Sequence, residues 1–356
     1  MEKIGMQSTF LPKDVTILLK DITGMVEPLP SQTREALIQG GVHYSEMLPL
    51  EYKPKEAYLQ EYRFALSNFS KITASAVKSV ARKIYRAKGE NVVLISLARS
   101  GTPIGILIKR YLDKKYRVTV PHYTVSIIRG RGIDRTAMGY ILSRHKTESL
   151  QFVDGWTGKG AIFTELKQAM SSYPGVDCSL AVLSDPAGVA TIFGTNEDFL
   201  IASSCLNSTV CGLMSRTFYR ADIIGQDDFH GAAFYSELRE LDRTYEFINK
   251  IESEFDYSDE DVNSVQLAIN GYGGAVEAEN IAREFGVKNI NFVKPGIGET
   301  TRVLLRRTPG FVLIRENSEK YVSHIVSLAE DKNVDIVHYP LKNYRACGII
   351  RDLSDV

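Results

Sequence analysis

From residue 76 to about 204, apolar β-rich runs alternate with stretches of helical spacing, and this alternation limits the fold more than any other feature. Runs at 92–98, 118–128, 150–153, 178–184 and 199–204 read as strands separated by helices. Such an order argues for a parallel sheet flanked by helices, an α/β fold. In open sheets of this kind ligands bind beyond the carboxyl ends of the strands. The chemistry is therefore expected at the strand-to-helix turns.

Two turns carry the right residues. In the first, the run 91–98 is followed by Arg99, Ser100, Gly101, Thr102 and Pro103 before a helix. Arg99 offers a planar fork for phosphate, and Ser100, Gly101 and Thr102 supply backbone and hydroxyl donors. In the second, the run 149–153 leads into Asp154, Gly155, Trp156, Thr157, Gly158, Lys159 and Gly160, then a helix over 161–170. Helix-start amides and close-approaching glycines form an anion cradle, while Asp154 can accept from the hydroxyls of an attached sugar. Glycine also serves any tight turn, so each cradle alone is weak support. Two in one sheet imply a doubly phosphorylated ligand. Between them, residues 128–139 place Arg129, Arg131 and Arg135 among glycines, as a lid over a polyanion would or as an ordinary β-to-α connection would.

These two turns resemble the pyrophosphate loop and the phosphoribosyl pyrophosphate loop of type I phosphoribosyltransferases. The order and the spacing of about fifty residues fit that family. One departure stands out: two adjacent acids usually precede the Thr-Gly pair, whereas Asp154 is followed by Gly155. The wording of residues 153–162, with 43–49, 184–188 and 228–231, is similar to a bacterial branch from tellurium-resistance and stress gene clusters, also labelled a cysteine protease, StiP.

The resemblance implies transfer of 5-phosphoribosyl from phosphoribosyl pyrophosphate to a ring nitrogen of a base-like acceptor, with pyrophosphate released. Arg99, Asp154, Arg129 and Arg131 are the implied catalytic residues, and Ser100, Gly101, Thr102 and residues 155–160 the substrate-binding ones. Lys159 either adds charge at the 5-phosphate or faces solvent. Mg2+ is expected to ride on the substrate's own oxygens rather than in a protein cage.

A protease would instead use Cys205 or Cys211 as nucleophile and His230 as base. Unpaired cysteines are more often core residues. Ser215, Arg216 and His230 could alternatively line the acceptor pocket or secure strand ends. The four cysteines show neither zinc spacing nor a disulfide framework, so reduced thiols in a cytoplasmic protein are expected. With 43 basic and 43 acidic residues, the chain has no general attraction to nucleic acid or membrane. No run reaches spanning length.

Residues 1–80 read as a helical N-terminal cap, with helical spacing at 15–22 and 58–72. His43, Tyr44 and Glu46 lie in its loop-like middle, as a base-recognition element or as surface. The phosphoribosyltransferase-like domain is placed at 81–255. An acidic stretch at 252–261 reads as a linker to a second domain that begins near Ser264, the stretch being assigned with it as 256–356. Its helices at 273–285, 299–307 and 321–331 and strands at 289–293, 311–315 and 335–338 make a small α-β-α sandwich.

The turn Lys294 to Arg302 and the loop 339–348 resemble the RNA-facing loops of the Pelota and L7Ae superfamily. Gly298 stands where an asparagine is usual. The resemblance implies contact with structured RNA through Lys294, Gly298, Glu299, Thr301, Arg302, Lys342 and Arg345, although basic residues on a helix are often just its solvated face. A non-catalytic, RNA-binding sensor of phosphoribosyl pyrophosphate is the alternative from another class. The sequence leaves room for a homo-oligomer.

Overall fold

The computed structural model describes residues 5–259 and 273–351. In chain order the first unit runs β1 (Thr16–Ile17), β2 (Lys20–Asp21), α1 (Ser31–Gln39), α2 (Glu56–Lys88), β3 (Val93–Leu97), α3 (Gly101–Tyr116), β4 (His122–Val125), β5 (Ile127–Ile128), β6 (Gly132–Ile133), α4 (Arg135–Leu142), β7 (Leu150–Val153), α5 (Ala161–Met170), β8 (Leu180–Ser184), β9 (Ile192–Thr195), β10 (Gly231–Ala232) and α6 (Thr244–Glu252). Six of these strands form one sheet in the order β1-β4-β3-β7-β8-β9, every neighbouring pair parallel. β3 shows why the sheet needs both of its covers. Val93, Ile95 and Leu97 pack with residues of α4 and α5, while Leu94 faces the cluster of α2 and α3. A strand buried on both faces is expected to be almost wholly apolar, and β3 is so at every position but Ser96, whose buried hydroxyl donates to the Gly101 carbonyl at 3.0 Å.

The second unit runs α7 (Gly274–Glu284), β11 (Val293–Pro295), α8 (Ile297–Arg306), β12 (Pro309–Ile314), α9 (Glu319–Asp331), β13 (Asp335–His338) and β14 (Ala346–Ile350). Its four-stranded sheet has the order β11-β14-β12-β13. Ala278 and Ile281 of α7 pack on one side, and Leu304 of α8 with Ile325 of α9 on the other, giving the expected three layers. The two units share a core: Ile297, Leu304 and Ile325 belong to the same buried cluster as Tyr62, Phe69 and Leu200. The Tyr58 hydroxyl donates to the Leu305 carbonyl at 3.0 Å.

Several expectations need correction. Residues 15–22 are not helical; they make β1, which joins the main sheet beside β4, and β2, which pairs with β10. A short apolar run fits either period, and β-branched Val15, Thr16 and Ile17 decide for strand. Residues 199–204 form no strand: Ala202–Ser204 is a 3-10 turn buried under α2 and α8, and the sheet's last strand is the earlier β9. At 290–292 a 3-10 turn replaces most of the expected strand, which begins at Val293. The loop expected at 339–348 ends early, because Ala346–Ile350 is a fully buried strand pairing β11 and β12. The start proposed near Ser264 lies outside the described residues.

Close packing governs the α3 start. A Cβ on Gly101 would lie 2.6 Å from the Val153 carbonyl oxygen, so α3 meets β7 at a point where only glycine fits. Because that neighbour is backbone, it cannot swing aside. Gly101→Ala is expected to cost about 1–3 kcal/mol, seen as a melting temperature lower by several degrees. An unchanged melting temperature would show that the helix can shift freely.

Candidate active site

β7 delivers Asp154 to the carboxyl edge of the sheet, and residues 154–160 turn from there into α5. Asp154 Oδ1 accepts from Ser100 Oγ at 2.9 Å and from the Gly155 N–H at 2.8 Å. Burial nevertheless pushes its pKa up to about 6. Gly160 has φ +83°, a left-handed conformation glycine adopts without strain, and swings the chain into the helix. No side chain caps α5 and no acid occupies its first turn, so its leading amides keep their affinity for an anion.

The loop's side chains line the cleft but are mostly engaged with partners in the protein. The Thr157 hydroxyl donates to buried Asp185 at 2.5 Å. Lys159 Nζ donates to the carbonyls of Ile290 and Val293, the latter at 3.1 Å. Trp156 lies under the Arg302 guanidinium, 4.5 Å from its ring centre, and hydrogen-bonds Glu299. What residues 157–160 offer a phosphate is therefore backbone.

The first turn departs further from expectation. The Ala98–Arg99 peptide is cis. Arg99 donates to Asn207 Oδ1 at 2.6 Å and to the Met214 carbonyl at 2.9 Å, with Glu51 at 3.3 Å. Gly101 and Thr102 are buried, the Thr102 hydroxyl accepting from Thr124 at 3.0 Å. Ser100 alone of these four lines the cleft. Arg99 looked free in sequence because its three partners come from distant segments.

The arginine-rich connection is a short antiparallel hairpin, β5–β6. Glu165 pins it through the Gly130 and Gly132 amides at 2.6 and 2.8 Å, and His43 Nε2 lies 3.1 Å from the Arg129 carbonyl. Arg131 is held by Glu46 and the Tyr219 carbonyl. Arg129 lines the cleft, donating to Asn291 at 3.0 Å. These contacts hold the hairpin against the cleft wall.

The cleft has a volume of about 680 Å³, within the usual size of a small-molecule site. Three parts of the chain enclose it: Glu35 and Tyr44 from the N-terminal region, Asp154 and residues 156–163 from the sheet edge, and Lys294, Glu299, Arg302 and Arg307 from the C-terminal unit. Six basic side chains line it against three carboxylates. Glu35 pairs with Arg307 at 2.7 Å and Glu299 with Arg302 at 3.0 Å. The Arg216 carbonyl accepts from Ser215 Oγ at 2.7 Å, but its guanidinium has no hydrogen bond or ion pair among the described residues and lies 4.4 Å from the Tyr44 ring centre. Burial, then the charges of Arg34 and Arg99, push its pKa down. Arg216 had been only one option for an acceptor pocket, and nothing in its local sequence marks it.

The turn compared with RNA-facing loops thus points into the chain's own cleft. Thr301 is buried, bonded to the Ile297 carbonyl at 2.8 Å and lying 3.0 Å from His324 Nε2. A Cβ on Gly298 would touch Trp156 at 3.4 Å and Ser204 Cβ at 3.5 Å, so this position faces the chain's own Trp156 and Ser204. Arg345 is bound by Glu197 and the Asp198 carbonyl. Lys342 is exposed on the outer loop.

Neither candidate nucleophile faces this cleft. Cys205 and Cys211 are 1% and 4% exposed and sit in the main core. His230 Nδ1 lies 2.9 Å from Ser126 Oγ, and burial pushes the imidazole down to about 4. No helix is long and apolar enough to cross a membrane, and no metal-holding group of His, Cys, Asp and Glu occurs, among the described residues.

Comparison with known proteins places this geometry. Residues 8–252 match a family model described as tellurite-like stress resistance cysteine protease StiP, and residues 273–352 match a PELOTA RNA binding domain. The "Cysteine protease StiP" of Acinetobacter baylyi is 33% identical over 382 residues, covering 99% of this chain and 96% of that protein. Solved neighbours include xanthine-guanine-hypoxanthine phosphoribosyltransferase of Helicobacter pylori, at 16% identity and a TM-score of 0.26 over 33% of this chain and 75% of that one. Hypoxanthine phosphoribosyltransferase of Trypanosoma cruzi matches at 18% identity and a TM-score of 0.28, over 35% of this chain and 75% of that one. By the family match and the near full-length relative, the chain belongs to the tellurite-like stress resistance StiP family and ends in a PELOTA-type domain.

Proposed function

We propose that the cleft binds phosphoribosyl pyrophosphate and transfers its phosphoribosyl group to a ring nitrogen of a base. The observation that carries this reading is the pairing, in one cleft, of the uncapped α5 amides with the unpaired guanidinium of Arg216. A ligand with a phosphate at one end and a pyrophosphate at the other would satisfy both. The α5 amides and residues 157–160 hold the 5-phosphate. Asp154, whose second oxygen makes no described hydrogen bond, accepts from ribose hydroxyls. Ser100 and Arg216 take the pyrophosphate, the role that Arg99 cannot fill while bonded to Asn207 and Met214.

In the reaction the C1–O bond to pyrophosphate breaks, a C1–N bond forms, and the ring nitrogen's proton leaves to solvent. The protein contributes positioning and stabilisation of the charge that grows on the leaving group. Asp154 is the one carboxylate among residues 154–160, which fits a magnesium ion that arrives on the substrate's own oxygens.

The protease activity named for the relative needs a thiolate within reach of an imidazole. Both cysteines of that reading lie in the core, outside the cleft. Titrating phosphoribosyl pyrophosphate with magnesium by calorimetry separates the readings. Wild type and a Cys205→Ser, Cys211→Ser double variant are expected to bind alike, and Asp154→Asn to bind about tenfold more weakly, the loss of one hydrogen bond to a charged group. Absence of binding to wild type would overturn the transferase. Binding without pyrophosphate release across a panel of bases would leave a sensor.

A further inference from the structure

We propose that Lys294, carried by the C-terminal unit, binds the phosphate seated on the α5 N-terminus, so that the sugar-phosphate site is assembled from both units of the chain. The proposal rests on the transferase reading above and extends it to a residue that sequence assigned to RNA.

Lys294 sits in the middle of β11 and lines the cleft beside residues 158–161. Among the described residues its ammonium makes no hydrogen bond and no ion pair. The nearby charges are already engaged: Glu299 is held by Arg302 and Trp156, and Lys159 donates to two carbonyls of the C-terminal unit. Burial pushes Lys294 down to about 8 despite Glu299, so the protein's own carboxylates compensate the cation incompletely. An ammonium half withdrawn from water without a partner is costly, and a phosphate on the α5 amides would supply one.

The contacts around it hold β11 against the loop. Tyr344 donates to the Gly158 carbonyl at 2.7 Å, and Asp198 accepts from the Ile297 amide at 2.9 Å and the Arg345 amide at 2.8 Å. A Cβ on Gly158 would lie 3.6 Å from Glu299 Cγ and 3.9 Å from the Pro295 carbonyl, so the loop and the turn are in van der Waals apposition. Lys294 is thereby positioned as a wall of the sugar-phosphate site.

The test uses the full-length chain, with ribose 5-phosphate and inorganic pyrophosphate titrated separately. Lys294→Met is expected to weaken ribose 5-phosphate about 10- to 100-fold, as loss of a charge-assisted hydrogen bond does. Pyrophosphate affinity should stay within about twofold, and Lys294→Arg should recover most of the loss. Near pH 8, phosphate binding should draw a proton onto wild type, and Lys294→Met should take up less, measured in buffers of different ionisation enthalpy. Equal ribose 5-phosphate binding by wild type and Lys294→Met would overturn the assignment while leaving the transferase reading intact. Equal loss of both ligands with a lowered melting temperature would make Lys294 structural and overturn it too. Wild type that binds neither ligand would remove the transferase reading itself.

Discussion

Arg216→Met is expected to weaken pyrophosphate about 100-fold and, at the same time, to raise the melting temperature of the unliganded protein. Both signs come from one fact. The Arg216 guanidinium is partly withdrawn from water, crowded by Arg34 and Arg99, and has no anionic partner among the described residues. Burial of an uncompensated charge costs several kcal/mol after relaxation. The Tyr44 ring returns about 0.5–2 kcal/mol through its face. Methionine gives up that stacking but removes the larger penalty and the repulsion. For a chain of this size each kcal/mol gained moves the melting temperature by about 2–4 °C. Strain of this kind, kept at a site and relieved on binding, is the usual form of the trade between stability and activity. Affinity by calorimetry and melting by calorimetric scan decide it together. A destabilised variant with unchanged pyrophosphate affinity would make Arg216 a packing residue and remove the pyrophosphate end of the site.

How much of this was legible in the sequence depends on the range of the interactions involved. The α5 boundaries and the loop before it could be read from local pattern, because an apolar run, a glycine turn and helical spacing are all properties of adjacent residues. The first cradle was misread for the opposite reason. Arg99 has the local setting of an anion ligand, but Asn207, Met214 and Glu51 arrive from elsewhere in the chain and occupy it. Arg216 carried no local signal, since its meaning lies in the partners it lacks. Gly298 is intermediate. Sequence showed a departure from the RNA-binding pattern, and only the fold shows that the position packs against Trp156 and Ser204 of the same chain. β1 was lost because two strand residues beside β4 leave too short a run to separate a period of two from one of 3.6.

Asp198→Ala is expected to loosen the C-terminal unit from the sheet edge, and Trp156 will report it. Asp198 is 5% exposed and receives the Ile297 amide at the start of α8 and the Arg345 amide before β14. Alanine leaves both donors buried and unpaired, at about 1–3 kcal/mol each. Burial pushes the Asp198 carboxyl up to about 6 from an unfolded value of 3.8. A raised folded pKa means that its contribution is fully present below pH 3.8 and is lost as the pH rises through 6. The cost of the substitution should therefore be larger at pH 5 than at pH 8, and Asp198→Asn, which keeps one acceptor without a charge, should flatten that dependence. The chain has one tryptophan, and it lies between Gly298, Glu299 and Arg302 at this junction. Its emission should shift to the red in Asp198→Ala as the indole gains water, and ribose 5-phosphate affinity should fall with it because Lys294 moves away from α5. An unshifted emission maximum with full affinity would show that the shared core of Ile297, Leu304 and Tyr62 holds the units together without this carboxylate.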